Sequence, residues 1–344
     1  MDVYFDGGFY GSDISQKPCR PLRLRKSFQW KGDTWHLLAP YVCEKGVVLD
    51  FAKEVPREAL IQFWEIWGER IRQYQEKSEE ENAGLADRSR IDYENPMETE
   101  LWMDAWINGQ EIESISGSGC SYNPMEGWKE FSAAETAEAE MEARKLLEHY
   151  ELSDQCGWYF YRMRLKWNEN PVPSELKLRL VLKPDQWNLP CEPGFKTKTG
   201  DEGQEYCFTH PLNGTEHMLL VESVTQEEVP EERFSLLGDE YCFPRNFQCL
   251  HYRLLNPEDF GKFQVRDLKQ SDAPVRRDGR GEQGASSVFL VGALQKRQKR
   301  QEPSRMEQPS HMSFQPVEQT SWVVEAVVCR GEKLEMEWNL MENE

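Results

Sequence analysis

The amino-acid sequence predicts a β-dominated α+β fold, with antiparallel meanders and hairpins, two amphipathic helices and a sandwich-like C-terminal part. Short segments that alternate apolar and polar residues recur along most of the chain, and such alternation is typical of half-buried strands. Turn-forming pairs such as Asn108-Gly109 and Asn213-Gly214 separate these segments. Two segments, near residues 56–79 and 132–150, carry apolar residues at helical spacing instead.

The first strands are predicted to form a meander. Residues 22–31 alternate in character and lead into Gly32-Asp33, which suits a two-residue hairpin loop. That register places Trp30 directly opposite Trp35, where the two rings would contact each other. A third strand is expected at residues 47–51.

Local signals also predict where the two helices begin. Pro56 suits the first helical position, because a missing N–H costs nothing there. Ser132 followed by Glu135 forms a capping box, which predicts a second helix running to about residue 150. Residues 82–98 and the Gly/Ser-rich segment 116–121 predict loops.

The domain organisation follows from length and composition. A single core usually stops growing at about 250–300 residues, and the chain has 344. We expect a meander-plus-helices unit over residues 1–150 and an antiparallel β unit over 151–344, ending in a hairpin that turns at Gly331-Glu332. One continuous domain is the alternative. Residues 270–316 predict a flexible, basic loop, since 276–305 hold eight Lys/Arg and three Asp/Glu.

The charge balance limits the partners. The chain carries 61 Asp and Glu against 41 Lys and Arg, for a net charge of -20. A field of that sign repels nucleic-acid phosphates and anionic membrane surfaces, so we expect neither as a partner. No stretch approaches the roughly 18 apolar residues of a membrane span. The sequence does not indicate an oligomeric state.

The cysteines bear on the compartment. There are nine cysteines, an odd number, and none has CxxC spacing. The N-terminal residues carry neither the basic region nor the apolar run of a secretory signal. These features predict free thiols in a reducing, cytoplasmic location.

The hairpin around Asn108-Gly109 carries the candidate binding site. A two-residue loop there directs four apolar residues towards the core: Met103, Ala105, Ile107 and Ile112. The opposite face, here called the outer hairpin face, carries Trp102, Asp104, Trp106, Glu111 and Glu113. Indole rings stack on sugar rings or cationic groups, and carboxylates accept hydrogen bonds from the same ligands.

The outer hairpin face favours a binding function over a catalytic one. The main hypothesis is a non-enzymatic interaction module that binds a basic protein or a carbohydrate through the outer hairpin face. The alternative is a carbohydrate-active hydrolase that works with Asp and Glu. A plain solvated strand face would explain the same residues without any ligand. No catalytic residue is assigned, because catalytic constellations are spatial.

Two histidines are the metal candidates that the sequence offers. If Asn213-Gly214 is a two-residue loop, His210 lies opposite His217, at a spacing that suits two ligands. A four-residue loop from Pro211 to Gly214 would break that pairing. Because zinc needs at least three protein ligands and no third one is evident, we expect no metal and no cofactor.

Overall fold

The computed structural model describes residues 1–9, 17–76, 87–99, 101–113, 115–125, 137–167, 175–234, 240–277 and 305–341. It has the predicted β-dominated α+β architecture, with several antiparallel sheets. The helices of these residues are α1 Arg57–Glu76, α2 Asp87–Glu94 and α3 Ala137–Tyr150. Across the described ranges, no helix combines the length and the apolar character that a membrane span requires.

The strands follow one another along the chain as β1 Arg20–Pro21, β2 Lys26–Trp30, β3 Asp33–Val42, β4 Gly46–Val55, β5 Met103–Ile107, β6 Gln110–Glu111, β7 Ile115–Tyr122, β8 Gly157–Lys166, β9 Lys177–Leu182 and β10 Asp185–Pro190. The series continues with β11 Phe195–Lys198, β12 Gln204–Thr209, β13 Glu216–Glu228, β14 Tyr241–Cys242, β15 Asn246–Leu254, β16 Phe263–Asp267, β17 Val275–Arg276, β18 Met306–Pro309, β19 Gln319–Arg330 and β20 Leu334–Asn339.

The chain divides into two compact units. The first comprises Met1–Lys77, Ile91–Gln186 and Cys329–Glu344, and the second comprises Ser78–Arg90 and Trp187–Val328. The boundary expected near residue 150, and the alternative of one continuous domain, concern independently stable fragments and stay predictions for limited proteolysis. Most of the predicted basic loop, residues 278–304, lies outside the described residues.

The first unit is a β-sandwich with a helix on one side. Its six-stranded sheet has the order β1-β3-β4-β8-β7, with β2 paired to β3, and its four-stranded sheet has the order β20-β9-β5-β6. Trp35 and Leu49 of the larger sheet share one core with Ala105 and Leu180 of the smaller sheet. The other side of the larger sheet packs against α3, which contributes Leu146 to that second core.

The helices follow their start signals, with one addition. Helix α1 begins directly after Pro56, whose carbonyl accepts the backbone N–H of Ala59 at 3.0 Å. Helix α3 is present as predicted, although the capping box at Ser132 falls outside the described residues. Helix α2 lies within the segment 82–98, which the sequence had indicated as a loop. That prediction was wrong because a short polar helix lacks the apolar stripe that identifies longer ones.

The first hairpin turns one residue earlier than predicted. Its loop is Lys31-Gly32, with φ of 57° and 83°, so both loop residues are left-handed as a type I′ turn requires. Trp35 therefore pairs with Phe28 instead of Trp30. Its indole still lies 6.1 Å from that of Trp30, measured between ring centroids.

The second unit is also a sandwich, in agreement with the sandwich-like C-terminal part that the sequence predicts. One sheet has the order β10-β19-β11, with β16 paired to β19, and the other has the order β12-β13-β15-β18. Trp322 and Phe263 of the first sheet share a buried core with Phe208 and Leu250 of the second. Strands β14 and β17 form a separate two-stranded ribbon.

The predicted last hairpin is not formed. Strand β19 belongs to a sheet of the second unit, whereas β20 pairs antiparallel with β9 in the first. Trp338 of β20 packs against the core of the first unit, and this contact explains why the strand leaves its neighbour in sequence. Glu335 and Glu337 are exposed, as the alternation of β20 predicts.

One pair of cysteines departs from the expectation of free thiols. Cys19 and Cys43 form a disulfide, with their Cα atoms 4.4 Å apart. The pairing of β1 with β3 brings them together, since Arg20 lies opposite Val42. The other seven cysteines, all among the described residues, are not part of a disulfide.

Candidate functional site

The hairpin around Asn108 has the predicted turn and register. Asn108 and Gly109 are both left-handed, with φ of 52° and 81°, and Trp106 pairs with Glu111. Ala105 and Ile107 are buried on the inner side. The predicted separation into a core side and an outer side is therefore confirmed.

The outer hairpin face is accessible along its whole length. Trp102 is 59% exposed, and Glu111 and Glu113 are exposed as well. Asp104 and Trp106 are half-buried. Strand β6 ends at Glu111, so Glu113 lies beyond the paired residues.

Strand β9 adds positive charge to this face. Lys183, which directly follows β9, donates from Nζ to Asp104 Oδ1 at 2.7 Å. Arg179 lies opposite Trp106 in the ladder, and its guanidinium carbon is 4.5 Å from the centroid of the indole ring. The surface is thus mixed in charge around Trp106, whereas sequence analysis identified only its acidic residues.

Arg179 also forms a hydrogen bond with a carboxylate of strand β20. Its Nε donates to Glu335 Oε1 at 2.6 Å. This hydrogen bond raises the pKa of Arg179 and lowers the pKa of Glu335. Both side chains are more than two-fifths exposed, so a ligand could exchange with either partner.

A depression of about 620 Å³ opens beside Trp106. It is called the Trp106 depression here, and it is lined by Trp106, Asn108, Gly109, Glu175, Lys177, Arg179 and Glu337. This volume lies within the range of roughly 300–1,000 Å³ that is usual for small-ligand sites. An aromatic ring, two cations, two carboxylates and an amide therefore converge on one concave surface.

Asn108 fixes the position of the hairpin tip at this depression. Its Nδ2 donates to the carbonyl of Glu175 at 2.7 Å, and its Oδ1 accepts the backbone N–H of Lys177 at 2.8 Å. Its own N–H donates to the carbonyl of Lys177 at 2.8 Å. The turn residue that closes the hairpin therefore also ties it to the start of β9.

Comparison with known protein families, curated proteins and solved structures finds no match to this chain. The chemistry of the residues alone must therefore indicate the function. The Trp106 depression is the surface at which the predicted outer hairpin face meets side chains of β9 and β20.

The two histidines do not lie opposite each other. The backbone N–H of His210 donates to Thr215, and His217 pairs with Phe208, so the loop has four residues and the direct pairing was wrong. The nitrogens of His217 contact other groups, since Nδ1 is 2.7 Å from Asp259 Oδ2 and Nε2 is 2.8 Å from Thr215 Oγ1. Burial, followed by the nearby charge of His217, lowers the pKa of His210.

A different group of possible metal ligands was missed by sequence analysis. The side chains of Glu227, Cys249 and His251 place their ligand atoms within 4.8 Å of one another. We expected no metal because the sequence showed no third ligand beside two histidines. The folded chain does bring three possible ligands together, so that argument does not hold. The spacing of Cys249 and His251, two residues apart in a strand, is the signal that could have identified them.

The interior of the first unit contains a buried ion pair, Asp50 with Arg162. Arg162 binds Asp50 through two hydrogen bonds, Nε to Oδ1 at 2.8 Å and Nη2 to Oδ2 at 2.7 Å. Tyr150 donates to Asp50 Oδ2 at 2.5 Å, and its hydroxyl is 2.8 Å from that of Tyr41. Burial, followed by the charge of Asp50, raises the pKa of Tyr150. These partners satisfy one another in the interior and leave no group directed at a ligand.

Lys53 is a second buried charge in the same unit. Its ammonium donates to the carbonyls of Pro96 and Glu98, at 2.7 Å and 3.4 Å, and lies 3.6 Å from Asp33 Oδ2. Burial lowers its pKa to about 8, while the charge of Asp33 acts in the opposite direction. The side chain has no exposed surface, so we assign it a structural role.

Proposed function

We propose that the chain is a non-enzymatic binding module that holds a carbohydrate in the Trp106 depression. One observation carries this proposal: a depression of about 620 Å³ coincides with Trp106, the central residue of the outer hairpin face. Sugar-binding surfaces combine an aromatic ring with hydrogen-bonding groups, because sugar rings present C–H faces and hydroxyl edges.

The residues that line the depression support a neutral ligand over a charged one. Glu337 offers carboxylate acceptors, while Arg179 and Lys177 offer donors. The lining holds two cations and two carboxylates, so a basic protein gains no net electrostatic attraction from it. A hydroxyl-rich ligand can hydrogen-bond to groups of both signs.

The compartment is part of the proposal. Seven cysteines outside any disulfide suit a reducing cytoplasm, while the Cys19–Cys43 disulfide suits an oxidising environment. We propose a cytoplasmic location in which this pair is reduced. Mass spectrometry of protein whose thiols are alkylated during cell lysis should then find both cysteines modified. A disulfide-linked peptide would place the protein in an oxidising compartment.

The binding proposal is tested with titration calorimetry against neutral oligosaccharides, with a lysine-rich peptide as comparison. We expect an oligosaccharide to bind the wild-type protein and the peptide not to bind. Trp106→Ala should weaken this binding at least about tenfold, since stacked aromatic contacts contribute roughly 0.5–1.5 kcal/mol in addition to their buried area.

Trp102→Ala is the matched control, because Trp102 lies near the same strand and is exposed but does not line the depression. This variant should bind as the wild type does. Equal losses in both variants would assign the site to the whole face. Binding of the peptide alone would replace the carbohydrate with a basic partner, and release of reducing ends would favour the hydrolase alternative.

A further inference from the structure

Three side chains of the second unit converge on one face of the sheet β12-β13-β15-β18. Cys249 and His251 lie two residues apart on β15, so both point to the same side. Glu227 lies on β13, two residues beyond Thr225, which pairs with Cys249. The thiol, imidazole and carboxylate ligand atoms all lie within 4.8 Å of one another.

We propose that Glu227, Cys249 and His251 form a binding site for a divalent transition-metal cation of the zinc class. A cation at their centre would lie within about 2.8 Å of each ligand atom, and side-chain movements of less than 1 Å would give the roughly 2.0–2.3 Å of bound zinc. A thiolate with an imidazole favours zinc over magnesium or calcium, because the latter two prefer oxygen ligands alone.

The surroundings of the three ligands suit this assignment. Cys249 is buried in an apolar cluster with Phe247 and Met312, which would shield a metal–thiolate bond from water on that side. His251 is partly exposed, so a cation has a path from solvent. Binding would displace the thiol proton of Cys249 to solvent, because the thiolate is the ligand.

A carboxylate stands next to the histidine on the neighbouring strand. Glu307 of β18 pairs with His251, and its Oε1 is 3.5 Å from the Nδ1 of the imidazole. Metal-binding histidines usually direct their second nitrogen to such a group, which fixes the ring orientation. With three protein ligands, the fourth tetrahedral position remains for water or for a small ligand. This site lies in a different unit from the Trp106 depression and does not depend on the proposed carbohydrate binding.

The test uses the full chain, stripped with a chelator and then titrated with Zn²⁺ or Co²⁺. We expect one equivalent of zinc by elemental analysis after removal of excess metal. Co²⁺ should produce the charge-transfer absorption of a cobalt–thiolate bond. Cys249→Ser should abolish that absorption. His251→Gln and Glu227→Gln should weaken binding at least about tenfold, and Glu307→Gln should weaken it by roughly tenfold to a hundredfold.

Cys207→Ser is the matched control, because Cys207 is an exposed free thiol on β12 of the same sheet. This variant should bind metal as the wild type does. Because Cys249 is buried and its replacement can destabilise the fold, His251→Gln provides an independent test at a partly exposed position. Failure to retain one equivalent of zinc would overturn the proposal. So would a cobalt–thiolate absorption that survives Cys249→Ser or an unchanged affinity in a folded His251→Gln variant.

Discussion

Two sets of charged side chains in the first unit use similar groups in opposite surroundings. In the interior, Asp50 and Arg162 form a two-bond ion pair with less than 5% of either residue exposed. On the outer sheet face, Arg179 pairs with Glu335 while both remain in contact with water. Burial makes the first pair costly to break, because either partner alone would be a charge without solvation.

The comparison indicates which charges a ligand can use. The interior set joins β4, β8 and α3, and removal of one member leaves its partners unsatisfied. The outer pairs are in a high-dielectric environment, where such contacts contribute little to stability and exchange readily. The first set therefore holds the fold together, and the second set is free to change partners on binding.

Loss of the buried cation should have the largest effect. Arg162→Met should lower the free energy of unfolding by about 3–5 kcal/mol, because it leaves Asp50 buried without a counter-charge. Denaturant-induced unfolding measures this change. The double variant Asp50→Asn, Arg162→Met should recover part of the loss, since it removes both charges. An unchanged midpoint in the single variant would contradict the importance of the pair.

The second-largest effect should be a difference in stability between variants on the two sides of the β5–β6 hairpin. Ile107→Ala removes a side chain from the core and should cost about 2–5 kcal/mol of stability. Trp106→Ala on the outer side should cost clearly less, although it removes a larger group. Thermal melting of the two variants in parallel gives this comparison. A larger loss for Trp106→Ala would make this ring a core residue and remove the basis for the binding proposal.

Lys53 allows the cost of a buried charge to be measured through pH. Because its pKa in the folded chain is lowered from 10.5 to about 8, the unfolded chain binds more protons between those values. The free energy of unfolding should therefore gain a rising contribution, on the order of 3 kcal/mol in total, as pH increases through this window. Lys53→Met should lack this contribution, so the difference in unfolding free energy between wild type and variant should change by that amount across the window.

The difference between wild type and Lys53→Met is the quantity to measure. Other groups also contribute to the pH dependence near this range. For example, burial raises the pKa of Tyr41 above its ordinary value of 10.0. Subtraction removes their shared contribution. A constant difference from pH 7 to pH 10 would show that Lys53 keeps its ordinary pKa.

The outer ion pair should have the smallest effect on stability. Glu335→Gln leaves Arg179 without its carboxylate partner, but both groups remain solvated, so the melting temperature should hardly change. Ligand binding in the Trp106 depression should nevertheless change, because Arg179 lines it. A large drop in melting temperature would remove the contrast between the two sets.

Local chemistry was sufficient to predict one half of the candidate site. The Asn108-Gly109 turn sets the hairpin register, and the period-2 alternation then assigns Trp106 and Glu111 to the outer side. The other half comes from β9, whose Arg179 reaches Trp106 through a strand pairing across more than seventy residues. No turn or periodicity encodes such a partner, so the basic side chains at the site could not be predicted.

Local signals were misleading where packing decides the conformation. The Gly/Ser-rich segment 116–121 predicted a loop but forms most of strand β7. The rings of Tyr161 and Tyr159 on β8 lie over Gly117 and Gly119, where a Cβ would collide with them. Glycine at these positions allows the two tyrosine rings to approach the strand closely, a use that sequence patterns do not distinguish from a loop.

The position of β20 affects the order in which the chain can be completed during translation. The strand that supplies Glu337 to the depression is the last one described, yet it belongs to the unit that begins at the N-terminus. A nascent chain must therefore synthesise the whole second unit before the first can close. Until then β9 offers an open edge that carries Leu178 and Leu180, the kind of edge at which unfinished sheets aggregate. A ribosome that stops before residue 334 would release a protein with that edge permanently exposed.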